Sequence, residues 1–597
     1  MTKLYSLFFW SCCVTAVSSV TISDIQGPAW KSPLNGQTVQ GLTGIVTAKG
    51  SDGFYLAGER SKDVRVSNGL FVFSSAAAIL NSVAVGDAIS LNGRVAEFRS
   101  ASRPNDLSIT ELEAPSNITI LSKNNAVQPV ILGKDRSPPT RLFSALDTGK
   151  DGFLSVPNNS SRIESVNATL EPTKYGMDFW ESLEAQLVTI RKPTATAFQN
   201  NFGEFWVYGD WKVTGKNARG GISITFGPGG IPDGNPETVI IGPPLDGTKN
   251  PQTAVGIGLS DITGIVTYRF GFFYVLPLTA PTVVSVPSAA IPPVENMSPK
   301  SAHIPAVASH IGNLLQTPDI MFVQEIQDNS GPTDDGTVSA NATLTALVDA
   351  IAAVSNVRYQ FATVDPVNNQ DGGQPGGNIR TAFLYRPEKL SLVSGSPVGG
   401  ALDVTKVTGS LLRPKLSFNP GRIDPLNPAW NATRKPLVAH WRTASGADLF
   451  TVNLHLSSKG GSSSTQGDAR PPVNSPIDAR TAQVTSVATF VKALLAKNPL
   501  ANIVVAGDFN EFLQTRSVYK PLTSLLTDID EVAGIPEVER YSYVFDQNSQ
   551  QLDHALVSLA IRLRGAEFQH VHVNNWSPSL SARISDHDPS AGRIRLC

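Results

Sequence analysis

The sequence predicts a chain in two parts, a β-rich front half and an α/β carboxy-terminal half. Short strand-like runs bounded by Gly, Asn and Asp dominate up to about residue 285. A proline-rich stretch follows, and beyond it helical spacing alternates with continuous apolar runs typical of buried strands. With 597 residues, the chain exceeds one core at about 100–200 residues per domain, so two to four domains are expected. The 49 glycines and 42 prolines point to many turns and short strands. An apolar content of 41% excludes disorder as the main state. The net charge of −2 provides no bulk positive field for a polyanion, so any contact with one must be local or metal-assisted. Three cysteines, Cys12, Cys13 and Cys597, exclude a disulfide-rich scaffold and a four-cysteine zinc site.

The first 19 residues read as a secretory signal peptide. Lys3 precedes the apolar run Leu4 to Val17, and Ala16-Val17-Ser18 is a small-x-small cleavage pattern. No later run reaches about 18 uninterrupted apolar residues, so no membrane anchor is expected. N-glycan acceptors stand at Asn117, Asn158, Asn159, Asn167, Asn296, Asn341, Asn431 and Asn575. Their density suits a secreted glycoprotein, expected as a monomer. Removing the signal leaves one thiol, Cys597, unusual in an oxidising compartment.

Residues 20–125 form the first expected domain. Gly44–Ala48, Gly53–Leu56, Gly69–Phe73, Val83–Leu91 and Gly93–Phe98 are short, evenly spaced strands, favouring a small OB-like barrel. Residues 126–285 form a second β-rich domain, with Ala185–Ile190, Phe205–Tyr208 and Gly271–Leu276 as strands. Asp147–Gly152 has the start of a calcium-loop pattern, but its twelfth position is Asn158 rather than a bidentate Glu, so it reads as a plain loop. Pro287, Pro292, Pro293 and Pro299 mark residues 286–299 as a linker.

The last domain, 300–597, is α/β. Ile304, Val307, Ala308, Ile311 and Leu315 fall at helical spacing, then Asp319–Val323 reads as a buried strand. Leu344 to Ile351 marks a second helix. Ser475-Pro476 is a cap and first-turn signal for a third, through Leu494, which leads into the strand Ile503–Ala506.

The chemically interesting residues collect at strand ends. Glu325 follows the strand Ile320–Val323. In Phe450–Leu456 strict alternation puts Thr451, Asn453 and His455 on one face, before Ser457-Ser458-Lys459-Gly460-Gly461, which suggests a phosphate-facing site. Asp508 and Asn510 follow Gly507 at the end of Ile503–Ala506 and can address one oxygen-rich ligand. Asp553 opens an apolar strand. Asp586 and His587 precede the last strand, an acid beside a histidine that suits metal binding and base catalysis, with a distant acid needed to orient the imidazole.

In this order, Val323-Gln324-Glu325, Asn453-Leu454-His455-Leu456, Gly507-Asp508-Phe509-Asn510 and Ser585-Asp586-His587-Asp588-Pro589 resemble the endonuclease/exonuclease/phosphatase superfamily, the DNase I-like phosphoesterases. With its front domains, and with the run Asp371–Arg380 leading into Leu384-Tyr385-Arg386-Pro387, the chain resembles the secreted nuclease branch. The resemblance implies a four-layer α/β sandwich of two mixed sheets flanked by helices, and hydrolysis of phosphodiester bonds in DNA or RNA. It implies that Glu325 binds Mg²⁺ or Mn²⁺, with Asp586 as a second metal or orienting group. Asp508 and Asn510 position water and phosphate. His587 is the general base held by Asp553, and His455 stabilises the phosphorane or protonates the leaving oxygen. Asn453, Arg380, Lys459 and Arg434 are candidate substrate contacts. A transition state that gathers negative charge needs such cationic and donor groups, a base and an acid.

One departure stands out. The family carries an Asn after its first catalytic strand, where this chain has Pro293 in Pro293-Val294-Glu295-Asn296. The preceding Val286–Pro292 makes a poor central strand. The same segment in related nucleases tends to carry a cysteine, which would leave Cys597 without its partner. A short deletion, in the protein or in the gene model, accounts for both. Two other readings stay open: a phosphoesterase of the same fold acting on phospholipid or inositol phosphate, and an inactive polyanion-binding relative.

Overall fold

A computed structural model describes residues 20–155, 161–288 and 303–597. The expected signal segment, the acceptors Asn158, Asn159 and Asn296, and Pro293 lie outside the described residues.

Five strands, Thr38–Lys49, Gly53–Ala57, Gly69–Phe73, Ala88–Phe98 and Ile109–Ser122, close into a barrel. The first pairs antiparallel with the fourth, and the third runs parallel to the fifth, which removes free sheet edges. Alternating Val46, Phe54, Leu56, Leu70, Val72, Ile89 and Leu91 fill its interior. A nine-stranded sheet follows, its members running from Val130–Leu132 to Val283–Ser285, over a core that includes Phe179, Trp180 and Val266.

The carboxy-terminal part has four layers. Its larger sheet has seven strands. Six run in the order Leu390–Leu392, Leu437–Thr443, Asp448–His455, Ile503–Asp508, Asp553–Val557 and Thr527–Asp528, and Gly421–Arg422 pairs with the second. One face packs through Phe450, Val452, Val505 and Leu556 on the helix Ile477–Lys497. The other face packs through Trp441, Val504 and Val557 on Phe383 and Tyr385 of a smaller sheet. That sheet orders Ile320–Ile326, Arg380–Tyr385 and Gln360–Ala362, and Leu344, Leu347 and Ile351 of the helix Asn341–Ser355 cover its outer side. Phe322, Phe383 and Trp441 meet edge-to-face between the sheets, at 5.1 and 5.7 Å.

Three features differ from the sequence reading. The strand ending at His455 has no solvent face, because it is central and Thr451 and Asn453 are wholly buried. The helix after Pro476 starts without a side-chain cap, so Ser475 does not serve as one. The smaller sheet is divided: Ile320–Ile326 has one strand neighbour, and Ala566–His570 pairs with Ser590–Ile594 as a separate two-stranded sheet. Ile320, Phe322, Phe568 and Ile594 remain only partly buried against the shared core. Among the described residues, no strand joins these two pieces.

The front and back parts dock through polar groups. Asp147, in the loop with the calcium-like pattern, pairs with Arg470 at 2.5 Å, both buried, and Asp151 pairs with Arg516 at 2.8 Å. Among the described residues, no helix is long and apolar enough to cross a membrane. Asn117, Asn167, Asn341 and Asn431 are exposed. Asn575 is fully buried, its amide donating to Ser542 O and Asp588 Oδ2, so the folded chain offers no acceptor there. Cys597 is an exposed free thiol.

Candidate active site

Strand register assembles the site. Asp448–His455 and Ile503–Asp508 run parallel with His455 opposite Asp508, and Asp553 stands opposite Asp508 on the next, antiparallel strand. Three consecutive strands thus deliver His455, Asp508 and Asp553 in a row at one edge. Gly507 permits the close approach. At φ 139° its Cβ would sit 2.1 Å from Leu454 O, so only glycine fits.

The fourth member arrives from the loop before the last strand. His587 Nδ1 lies 2.6 Å from Asp553 Oδ2, which also accepts from Ser542 Oγ at 2.6 Å. Burial disfavours the imidazolium, but the Asp553 charge and hydrogen bond, with Asp508 and Asp586 nearby, lift His587 to about 10. Asp553 is desolvated, yet His587 holds its carboxyl below the usual range. Asp588 anchors the loop by accepting from the Asn574 and Asn575 amides while its carboxylate meets His572.

Burial, then the Asp553 charge, pushes Asp508 up to about 7. Its Oδ1 accepts the Asn510 backbone N–H at 2.7 Å, and Asn510 Nδ2 donates to Leu456 O and Asp508 Oδ2, both at 3.1 Å. His455 Nε2 lies 3.5 Å from Asp508 Oδ2 and 4.0 Å from Glu325 Oε1. Burial, aided by Arg434, holds His455 neutral, and its Nδ1 is buried without a hydrogen-bond partner. Glu325 lies within a break in strand register between Val323 and Ile326, in a left-handed conformation (φ 58°), and its side chain is 73% exposed. Arg434 is buried, donates to Leu456 O at 2.8 Å, and its Nε lacks a partner.

The expected site residues separate into two groups. Glu325, His455, Asp508, Asn510, Asp553 and His587 converge, and Arg434 adjoins them. Asp586 is exposed beside His587, and no hydrogen bond or ion pair joins its carboxylate to Glu325. Three expected substrate contacts are engaged elsewhere. Asn453 is wholly buried and ties the two sheets, accepting from Gln324 and donating to Val323 O and Ala382 O. The Arg380 guanidinium binds Asp365 and Asn378 O. Lys459 is held by Glu511 and Asn474. The sequence reading gave no role to Ser542, Asp588 and Glu511. Two carry a signal: Asp588 stands within the motif Ser585–Pro589, and Glu511 is an acid directly after Gly507–Asn510.

The donors available for a metal are oxygens. Among the described residues, no three metal-ligating side chains gather in one group. Glu325 presents an accessible carboxylate at the cleft. That fits magnesium, which keeps several waters and needs only one or two carboxylates besides substrate oxygens.

Comparison with known proteins locates two domains. Residues 131–288 match a domain of unknown function, DUF8508, and residues 294–587 match the Endonuclease/Exonuclease/phosphatase family. No curated protein matches the chain. Similar solved structures include D. rerio TDP2 complexed with single strand DNA product, with 16% identity, coverage of 50% of this chain and 93% of that one, and TM-score 0.31. Another is the mannosyl-6-phosphatase of Bacteroides thetaiotaomicron VPI-5482, with 16% identity, 49% and 90% coverage, and TM-score 0.29. A third is the endonuclease/exonuclease/phosphatase from Bacteroides vulgatus, with 15% identity, 49% and 90% coverage, and TM-score 0.28. Residues 294–587 thus form a domain of the endonuclease/exonuclease/phosphatase family of phosphoester hydrolases.

Proposed function

We propose that this chain is a secreted, metal-dependent nuclease that hydrolyses phosphodiester bonds of DNA or RNA. The observation that carries the reading is the row His455, Asp508 and Asp553 on adjoining strands, with His587 bound to Asp553 at 2.6 Å. Raised to about 10, His587 is mostly imidazolium near pH 7, so it acts as a base through its minor neutral form, whose Nδ1 Asp553 fixes and whose Nε2 takes the proton of the attacking water; Asp553 then stabilises the imidazolium that results. Neutral His455 serves as a hydrogen-bond donor to the oxygen that gains charge, since its burial opposes a full proton. Asn510 holds Asp508 in place, and Arg434 adds positive potential next to both. Glu325 would hold Mg²⁺ or Mn²⁺, which supplies Lewis-acid stabilisation of the phosphoryl oxygens. A local cation also suits a chain whose net charge of −2 gives no attraction of its own.

Supercoiled plasmid incubated with the purified chain tests this. Degradation with Mg²⁺, lost with EDTA and in His587→Ala, is expected. Full activity in EDTA would sink the reading. The divided smaller sheet favours one alternative, a protein that binds polyanions without turnover. Plasmid retention in a gel with no cleavage under any divalent metal would select it.

A further inference from the structure

We infer that the hairpin Tyr543–Phe545/Asn548–Gln550, together with Arg583 and Phe198 of the front part, forms a binding wall for an unpaired nucleotide next to the catalytic histidine. Its ligand class is single-stranded nucleic acid. The inference rests on the nuclease reading, and it adds which strand form the cleft accepts and gives the front part a role in the site.

The observations are geometric. Tyr543 bridges to His587 through the backbone, and their rings lie 4.8 Å apart. Phe545, two residues on, shares that face of the strand, with its ring 6.1 Å from Tyr543 and nearly parallel at 15°. A row of rings thus leads outward from His587, ending in Phe545, which is 54% exposed. The front part sets its position. Val544 packs with Ala197 and Val255, and both Tyr543 and Phe198 lie against the front core.

Arg583 flanks the row, its guanidinium 5.1 Å over the Phe198 ring. It makes no salt bridge among the described residues, and its Nη1 is buried with no hydrogen-bond partner. Asp586, Asp546 and Asp508 also act on Tyr543, and among the charges with the largest effect on it Arg583 is the cation. An exposed ring face beside an arginine that makes no salt bridge suits a base that stacks and a phosphate that pairs. Bases inside a duplex have their faces covered, so an unpaired base is the fitting partner.

Fluorescein-labelled eight-nucleotide DNA, the same sequence as RNA, and an eight-base-pair duplex would be titrated with the full chain in EDTA and followed by anisotropy. Phe545→Ala is expected to weaken single-strand binding about 5- to 150-fold, the loss of one stacked base, with Phe545→Trp restoring it. Arg583→Gln should weaken binding and reduce the salt slope by about 0.7, one phosphate contact on a single strand. The DNA and RNA arms show which sugar the wall accepts. No single-strand binding by the parent chain, binding by Phe545→Ala within two-fold of it, or equal losses on duplex and single strand would overturn the proposal. Hydrolysis of bis(4-nitrophenyl) phosphate with Mg²⁺ reports on the catalytic reading separately. A parent chain that hydrolyses this diester but binds no oligonucleotide refutes the wall alone. One that shows the Phe545 effect but hydrolyses nothing refutes the nuclease reading alone.

Discussion

Replacing Glu511 by Gln should unlock the active-site loop, and the structure gives the size of the effect. The carboxylate is fully buried and accepts from Lys459 Nζ at 2.9 Å, Asn474 Nδ2 at 2.9 Å, Arg480 Nε at 3.0 Å, the Phe512 N–H at 3.0 Å and Thr515 Oγ at 3.0 Å. It therefore joins the loop after His455, the helix Ile477–Lys497 and the segment carrying Asp508 and Asn510. Burial opposes its ionisation, yet Lys459 and Arg480 hold it at about 2. Against the usual 4.5, that is about 3 kcal/mol in favour of the charged form. Removing one partner of a buried pair costs about 3–5 kcal/mol because the remaining charges are stranded, and the two figures agree. A carboxyl depressed in the folded state adds stability above pH 4.5 and loses it as pH falls toward 2. Glu511→Gln should therefore lower the local unfolding free energy by about 3–5 kcal/mol at pH 7, with a gap that narrows below pH 4.5. Hydrogen exchange of the strand Ile503–Asp508 across urea concentrations measures it. A difference under about 1 kcal/mol at pH 7, or a gap independent of pH, would refute the buried ion-triad argument.

Other expectations follow from the same geometry. Asp553→Asn should cut the turnover of DNA about 10²- to 10⁴-fold with a smaller change in KM, because the imidazole loses both orientation and counter-charge; steady-state kinetics decide it. His440 is buried and stacked on Phe450, and burial depresses it to about 4. The unfolded chain binds its proton first, so stability should fall by about 3 kcal/mol as pH drops from 6.5 to 4, and His440→Phe should flatten that stretch of the urea profile. Gly507→Ala drives a Cβ into Leu454 O and should cost several kcal/mol, read as a lower melting temperature and a loss of activity. Arg470→Ala strands buried Asp147 between the two halves; limited proteolysis should then cut the 464–470 loop at least ten-fold faster.

The catalytic half was legible because its signals are local. A buried strand that ends in polar residues marks a chain emerging at a sheet edge, and three such strand ends carried Glu325, His455 and Asp508, while Asp553 opens the neighbouring antiparallel strand. In the loop with the calcium-like pattern, Asp147 and Asp151 clamp the two halves through Arg470 and Arg516, partners more than 300 residues away that the sequence did not indicate. Asn453 was misread because alternation was taken as evidence of an open face. Helices and a second sheet cover both sides of that strand, so its polar residues bond inward. Arg380 and Lys459 were misread because a positive charge in a loop looks free until its carboxylate, 15 or 52 residues away, is placed beside it.

By itself the sequence determined the order of the parts, the β-rich character of the front half, the α/β character of the back half and most of the residues that meet in the cleft. Hydrophobic period and turn chemistry act over a few residues, so they survive in one dimension. The tertiary structure alone decided that His455, Asp508 and Asp553 stand in register, that Ser542 and Asp588 hold the acid and the loop of the catalytic pair, and that the smaller sheet is divided. It also placed Phe198 of the front half against Arg583 beside the site. Each of these depends on strand pairing or on packing between segments tens to hundreds of residues apart, where distance in space bears no relation to distance along the chain.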